Sequence, residues 1–456
     1  MGTWDVHSAN RVAAARGRLN PVFAIHTSVT EGLGSLPPEA PSHGNEPPEP
    51  AVFERMLGPA LASLAAPSFP LLWMSGFLWN LTRWMAIFLG AYMVNDITGS
   101  PFQVQLVGGA FFAPMLAGGI AAGVVADRLD KRRTMLWVLA LLGVVAAVMA
   151  VIVLRGDLSA WMLYPFVFAI GVGGVVDLTS RRALIFEVVG EARITNALAL
   201  ESLGSSTGNM LGAVAAGAII AVLSAGAAFV LVAVAYVGAF VLLFMVRTEA
   251  VQKVVTERPS VLKEFKEGMS YVLHDPAQVS LLGVTVLVNL FFFSFLPLVP
   301  VFADKLEVGP LLTGLLGSGL GIGMVLGSLV LASRETQRRG LIYVGGSCVS
   351  MVFLVGLALA PWYWVALLAL IVAGGGMAGF ATMQSALVMV AAGDEMRGRA
   401  MGALSMAIGA LPIGMLMLGG VAEAIGPSAA VAISSIVGLM ALLAWNVLRP
   451  ESLRMR

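Results

Sequence analysis

Twelve apolar runs, each long enough to cross a bilayer, follow one another between Phe69 and Val447. A helix needs about 20 mainly apolar residues to do so, because the hydrocarbon offers no water to unpaired backbone groups. The repetition predicts an all-α membrane protein with twelve transmembrane helices, at about 70–94, 102–126, 134–154, 160–187, 196–222, 226–247, 277–302, 310–332, 341–360, 362–391, 398–422 and 427–447. With 58% hydrophobic and 12% charged residues, the chain exceeds what the core of a soluble globule can bury.

Charge placement gives the sidedness. Arg128, Lys131, Arg132, Arg133, Arg193, Arg247, Lys263, Lys266, Arg338, Arg339, Arg397, Arg399 and Arg449 fall on one side, whereas the opposite loops hold Arg155 and Lys305. The positive-inside rule predicts a plasma-membrane protein with both termini cytoplasmic, and an even number of spans agrees. Cys348 is the single cysteine, so no internal disulfide or cysteine-based metal site is expected. The histidines, His7, His26, His43 and His274, lie outside the spans. A proton relay within the membrane would therefore use carboxylates. The chain lacks a Gly-Lys-Ser/Thr ending and an HExxH sequence. We expect no enzyme activity, cofactor or metal, and no nucleic-acid partner. The energy source is an ion gradient or the substrate's own gradient.

Residues 1–65 contain the stretch from Pro37 to Pro50, which is too poor in apolar residues to fold, so this cytoplasmic tail is expected to be disordered. Translation from Met56 is an open alternative. The longest internal polar stretch divides the spans six and six: an N-terminal bundle at 66–248, a linker at 249–275, a C-terminal bundle at 276–448 and a cytoplasmic tail at 449–456. Val261, Leu262, Phe265, Met269, Val272 and Leu273 recur in the linker at helical spacing, predicting an amphipathic helix on the membrane surface. Glycines recur four apart at Gly119 and Gly123, at Gly204, Gly208 and Gly212, at Gly319, Gly323 and Gly327, and at Gly398 and Gly402. Such stripes let backbones approach closely, and their places in spans 2, 5, 8 and 11 predict a mobile seam between the halves.

Four segments carry a family resemblance. Gly123, Asp127, Arg128, Lys131 and Arg132 match a G-x-x-x-D-R-x-G-R-[KR] signature, with Asp130 where Gly is usual. Asn95-Asp96-Ile97-Thr98-Gly99-Ser100-Pro101 resembles Y-D-L-T-G-S-P. The segment Asp177 to Leu184 resembles D-x-P-x-R-Q-A-x, with Thr179 for the proline and Arg182 for the glutamine. Arg397-Gly398-Arg399-Ala400-Met401, Pro412-Ile413-Gly414 and Glu423 resemble R-G-R-x-M…P-I-G…E. Over 70–447 the chain thus resembles the major facilitator superfamily, in the drug:proton antiporter branch that includes enterobactin-exporter-like and lysophospholipid-transporter-like proteins. Ala213 follows Gly212 where antiporters commonly carry Gly-Pro.

The resemblance implies a cavity lined by spans 1, 4, 7 and 10, placing Arg83, Asp177, Arg181, Asn289 and Gln384 on the substrate or proton path. Charges in a span need partners or water. Asp177 and Arg181 could form an i, i+4 ion pair that neutralises itself, or Asp177 could gain and lose a proton as the cavity alternates between wet and closed. An unpaired Arg83 would favour an anionic substrate. The resemblance also implies an inner gate of Gly123, Asp127, Arg128, Arg397 and Arg399, with Asp127 meeting the positive N-terminal end of span 11. The basic residues there would also fix topology. Trp84, Phe291, Phe292 and Phe293 could touch a ligand, lipid or other side chains. The expected function is proton-coupled export of a small amphipathic compound, drug- or siderophore-like, by a monomer whose partners are the substrate, protons and the bilayer. Uptake, lysophospholipid movement and a non-transporting sensor or scaffold are the alternatives.

Overall fold

The structure, a computed structural model, describes residues 63–128, 130–247, 274–333, 338–393 and 396–455, with backbone alone at 117–128, 192 and 398. The tail and the amphipathic linker helix expected from the sequence lie outside the described residues. Everything described belongs to one compact unit, Val52–Arg456.

Among the described residues all regular structure is helical: α1 (Phe69–Thr98), α2 (Pro101–Arg128), α3 (Lys131–Arg155), α4 (Ala160–Val189), α5 (Ile194–Val222), α6 (Ala225–Met245), α7 (Pro276–Phe291), α8 (Val299–Lys305), α9 (Pro310–Ala332), α10 (Arg339–Ala358), α11 (Tyr363–Ala391), α12 (Arg397–Ile408), α13 (Leu411–Ile425), α14 (Pro427–Leu448) and α15 (Glu451–Arg454). Among the described residues ten stretches are long and apolar enough to cross a membrane, counting Pro276–Lys305 and Arg399–Ile425 as one each. The expectation of twelve therefore meets ten such stretches plus α1 and α2, which are 30 and 28 residues long. Within α1, Asn80 and Arg83 lower the hydropathy.

The turns follow from their residues. At the end of α1, Gly99 adopts φ +59° and donates its N–H to the Asn95 carbonyl, and Pro101 then opens α2. Glycine tolerates this left-handed cap, and proline at the first helical position loses nothing, because that N–H has no partner in the helix. The Gly-Ser-Pro of the motif is thus a stop and a start. Asp130, the departure from the signature, caps α3 by accepting from the Arg133 N–H at 2.8 Å.

Two spans are broken. The seventh passes from α7 through a 3₁₀ segment, Phe293–Leu298, into α8, with Pro297 and Pro300 each removing a backbone donor. The eleventh breaks between α12 and α13, just before Pro412.

The first six long helices pack mostly on one another, as do α7 to α14; the main contacts between these sets are α2 on α13 and α5 on α9. Large apolar side chains such as Trp137, Leu154, Val222, Phe244 and Leu329 face outward, as a lipid solvent requires.

Glycine placement corrects the expected seam for the stripes of spans 5 and 8, while the surroundings of Gly119, Gly123 and Gly398 lie outside the described residues. Gly204, Gly208 and Gly212 pack on α1: a Cβ on Gly208 would lie 2.9 Å from Asn80, and one on Gly212 2.7 Å from Trp84. Gly319, Gly323 and Gly327 face α11, where a Cβ on Gly323 would come within 1.9 Å of the Ile371 carbonyl oxygen. These stripes join helices within each set. The crossings between sets use other glycines: Gly217, Gly314, Gly317 and Gly321 between α5 and α9, and Gly108 and Gly419 between α2 and the α7–α8 and α13 segments.

Candidate functional site

A cavity of about 340 Å³ lies among α1, α2, α5, the broken seventh span, α9, α11 and the broken eleventh span. Its walls are aromatic and aliphatic: Trp84, Phe88, Phe112, Phe293 and Phe380, with Leu320, Met324 and Met415. Asn209, Asn289 and Gln384 supply amides, and none of the described lining residues is charged. Asn289 donates Nδ2 to the Thr285 carbonyl at 2.9 Å, and Gln384 donates Nε2 to the Thr285 hydroxyl at 3.3 Å. Thr285 also hydrogen-bonds the Tyr343 hydroxyl at 2.8 Å, and the Tyr343 ring stacks on Phe380 with centroids 5.1 Å apart. This network holds both amides at the cavity wall. Such a chamber, apolar with a few fixed polar groups, suits a small organic molecule.

The structure separates the expected path residues. Asn289 and Gln384 line the cavity, whereas Arg83, Asp177 and Arg181 do not. The fourth span contributes no lining residue, and the second, fifth, eighth and eleventh contribute several. Of the aromatics singled out from the sequence, Trp84 and Phe293 line the wall, while Phe292 is fully buried in packing. Phe88, Phe112, Phe380 and Asn209 carried no distinguishing signal, because an aromatic or amide in an apolar run has the same pattern wherever it points.

Arg83, Asp177 and Arg181 form instead a charged cluster with Glu201 between α1, α4 and α5. Arg181 donates through Nε to both Asp177 carboxylate oxygens at 3.0 Å and through Nη1 to the Leu72 carbonyl at 3.2 Å. The Arg181 Nε also lies 3.8 Å from a Glu201 oxygen. The i, i+4 pair read from the sequence is therefore formed and holds Asp177 tightly. Gly76 makes room for it: a Cβ there would sit 2.8 Å from Arg181 Nη1 and 2.9 Å from Glu201 Oε1. Arg83 donates to Asn80 Oδ1 at 3.0 Å, and its guanidinium carbon lies 5.4 Å from the centre of the Trp84 ring. The Ser205 hydroxyl donates to the same Asn80 oxygen at 3.1 Å. Arg83 is thus tied into the cluster rather than presented to the cavity.

One end of the cavity is shut. Where α1 turns into α2, Asn95 donates to Asp304 at the end of α8, and Gln105 donates to the Ser294 carbonyl at 2.9 Å. Glu423, at the end of α13, accepts from the Ser100 hydroxyl at 2.8 Å and from the Phe102 N–H at 3.2 Å. A carboxylate there meets the positive N-terminal end of α2. Two branch-motif segments, Asn95 to Pro101 and the one ending at Glu423, thus meet across the closure. Glu423→Ala is expected to cost the closed end about 1 kcal/mol. A cysteine at Ala91 should then react severalfold faster with a polar maleimide applied from that end; an unchanged rate would remove the contact from the gate.

At the opposite end, α2 runs to Arg128 and α12 begins at Arg397. The side chains of Gly123, Asp127 and Arg128 lie outside the described residues, so the expected latch with Arg397 and Arg399 stays a proposal. The neighbouring basic residues have structural partners. Lys131 pairs with Glu187, and Arg132 donates to the Leu243 and Phe244 carbonyls at the end of α6.

The family model for transmembrane secretion effectors, of the major facilitator type, matches residues 58–453. The chain belongs to this family. Similar proteins include an uncharacterized MFS-type transporter, YfiS, of Bacillus subtilis (25% identity over 204 residues, 43% of this chain and 47% of that protein). Macrolide efflux protein A of Streptococcus pyogenes is 20% identical over 273 residues, 59% of this chain and 66% of that protein. The chain thus spans about half of YfiS and just under two thirds of the streptococcal protein. Among solved structures, a bacterial homologue of the human lysosomal transporter Spinster, inward-facing and unoccupied, superposes with a TM-score of 0.63 at 14% identity, covering 85% of this chain and 95% of that one. The nucleoside transporter NupG gives 0.65 at 14% identity, covering 83% and 99%. A POT family transporter gives 0.68 at 13% identity, covering 84% and 96%. The fold is that of the major facilitator transporters, and the chain is a multi-pass membrane protein of this family.

Proposed function

We propose that this transporter exports a small, uncharged or weakly charged amphipathic compound by alternating access, driven by protons moving inward. The observation that carries the reading is the aromatic, charge-free chamber shut at the α1–α2 turn. With both termini cytoplasmic, the shut end is extracytoplasmic and the chamber receives its ligand from the cytoplasm or inner leaflet. The bundles at 66–248 and 276–448, joined by the linker at 249–275, rock about the α5–α9 and α2–α13 contacts. Asn289 and Gln384, together with Asn209, meet polar groups of the ligand while the aromatics take its apolar body. Gly123, Asp127, Arg128, Arg397 and Arg399 form the inner gate, and the protein works as a monomer.

The anionic substrate expected from an unpaired Arg83 loses its support, since Arg83 is bonded to Asn80 and absent from the wall. A full charge would lose hydration in this chamber without a counter-charge. The relatives named for macrolide efflux make a macrolide the first probe. Proteoliposomes with and without an imposed pH gradient should move a labelled macrolide or a neutral lipophilic dye faster with the gradient. Movement of neither probe, with a siderophore or lysolipid moved instead, would replace this substrate class. Phe112→Ala, removing a wall aromatic worth about 1.5–3 kcal/mol when covered by ligand, should raise the half-saturating concentration about tenfold. An unchanged value would place the ligand elsewhere.

A further inference from the structure

The charged cluster contains two carboxylates that the structure treats differently. Asp177 accepts hydrogen bonds from Arg181 Nε and Nη2, whose geometry fits a bidentate pair. Glu201 accepts no hydrogen bond among the described residues; its ionic contact is the 3.8 Å approach to the same Arg181 Nε, a donor already used by Asp177. Both side chains are largely withdrawn from solvent, at 13% and 15% exposure. One guanidinium is thus shared by two carboxylates, and the second guanidinium, Arg83, is bonded to Asn80.

We propose that Glu201, rather than Asp177, is the carboxylate that takes up and releases the transported proton. This assignment rests on the proton-coupled reading above for its place in the cycle. Asp177 serves as the fixed partner of Arg181, and the loosely held Glu201 carries the exchangeable proton, received from water on one side and given to water on the other.

The surroundings of Glu201 are simple. The groups of α4 acting on it are Arg181, Asp177 and Arg182. From α1, Arg83 reaches its helix through Asn80 and Ser205. Tyr236 is the titratable side chain of α6, and α9 has none between Pro310 and Ala332. Glu191 and Arg193 stand in the short 3₁₀ turn before α5, about 12 Å or more along the chain axis from Glu201. The other carboxylates of these elements are Asp177, held by Arg181, Glu187, paired with Lys131, Asp96 at the end of α1, and Glu191 in the turn.

Glu201 stands on the face of α5 that leads to the cavity. Glu201, Ser205 and Asn209 follow at i, i+4 and i+8, one face of α5. Asn209 lines the ligand wall, and Ser205 donates to the Asn80 oxygen that also binds Arg83. Arg83 sits against Trp84, a second wall residue. Neutralising Glu201 leaves the cluster one positive charge in excess, which both α1 and α5 register at the chamber.

The test uses the purified full chain in two arms. In infrared difference spectra between mildly acidic and mildly alkaline pH, the carboxylic-acid carbonyl band of the parent should vanish in Glu201→Gln, persist in Asp177→Asn and move in Glu201→Asp, which keeps an acid if the glutamine variant does not fold. A band that survives Glu201→Gln, or that Asp177→Asn erases instead, overturns the assignment. In proteoliposomes loaded with a labelled macrolide, the ratio of gradient-driven movement to exchange should fall about tenfold or more in Glu201→Gln. An unchanged ratio overturns it. A parent with no response to the gradient defeats the proton-coupled reading instead, and the infrared arm then decides by itself whether Glu201 is the proton site.

Discussion

Arg181→Leu is expected to remove most of the folded transporter from the membrane. Its guanidinium is 3% exposed and joins Asp177 and Glu201 across α4 and α5 while also meeting the Leu72 carbonyl of α1. Deleting it leaves two carboxylates in a low-dielectric interior without the guanidinium that contacts both. Breaking a buried pair on one side costs about 3–5 kcal/mol, a large share of the roughly 5–15 kcal/mol that holds a typical domain together. Fluorescence-detected size exclusion and thermal unfolding in detergent would read this as lost monodisperse protein. The triple variant Arg181→Leu, Asp177→Asn, Glu201→Gln should recover much of the yield, because neither carboxylate is then stranded. If the single substitution unfolds no more readily than the parent, or the triple variant fares no better than the single, the cluster is not the buried electrostatic unit described here.

Gly217→Val is expected to spare folding and disable transport. A Cβ at Gly217 would lie 2.3 Å from the Pro310 carbonyl oxygen and 3.1 Å from the Gly314 Cα, so valine must separate α5 from α9. Overpacking of this kind costs about 1–3 kcal/mol. Here the strain falls on a contact made between the two helix sets, so it weighs against the conformation in which that contact is closed. A bias of this size shifts a two-state equilibrium by about 5–150-fold. α5 itself stays anchored, because Gly204, Gly208 and Gly212 still admit α1. Transport in proteoliposomes should therefore fall about tenfold or more at normal yield. Gly174→Val, where a Cβ would meet nothing within 4 Å, is the control and should behave as the parent. Normal transport by Gly217→Val would show that α5 and α9 do not need to close.

Local features were the most legible. Helix positions follow from apolar runs, and the turn between α1 and α2 from Gly99 and Pro101, because both signals act within a few residues. The Asp177–Arg181 pair was readable for the same reason: i, i+4 on one helix fixes the neighbourhood. Glycine stripes were visible but assigned to the wrong neighbour. Spacing of four shows that a helix has a narrow face, and only the tertiary packing shows that Gly208 faces Asn80 and Gly323 faces Ile371. The breaks in the seventh and eleventh spans lie at prolines inside apolar runs, where hydropathy continues unchanged. Whether Arg83 would be bonded was not legible, since Asn80 lies one turn away and competes for it. The cavity itself was the least legible, because Phe88 or Phe380 could equally have met lipid in an apolar sequence. The role proposed for Glu201 was not legible, because it depends on Asp177 holding Arg181.

Accessibility of a cysteine in the chamber from each side of the membrane tests the account most directly. With Cys348→Ser as background, Asn209→Cys in the resting protein should react with an impermeant maleimide applied to the cytoplasmic face and resist the same reagent applied outside. Labelling from the outer face alone, or from both faces at equal rates, would contradict a chamber shut by the Asn95–Asp304 and Ser100–Glu423 contacts.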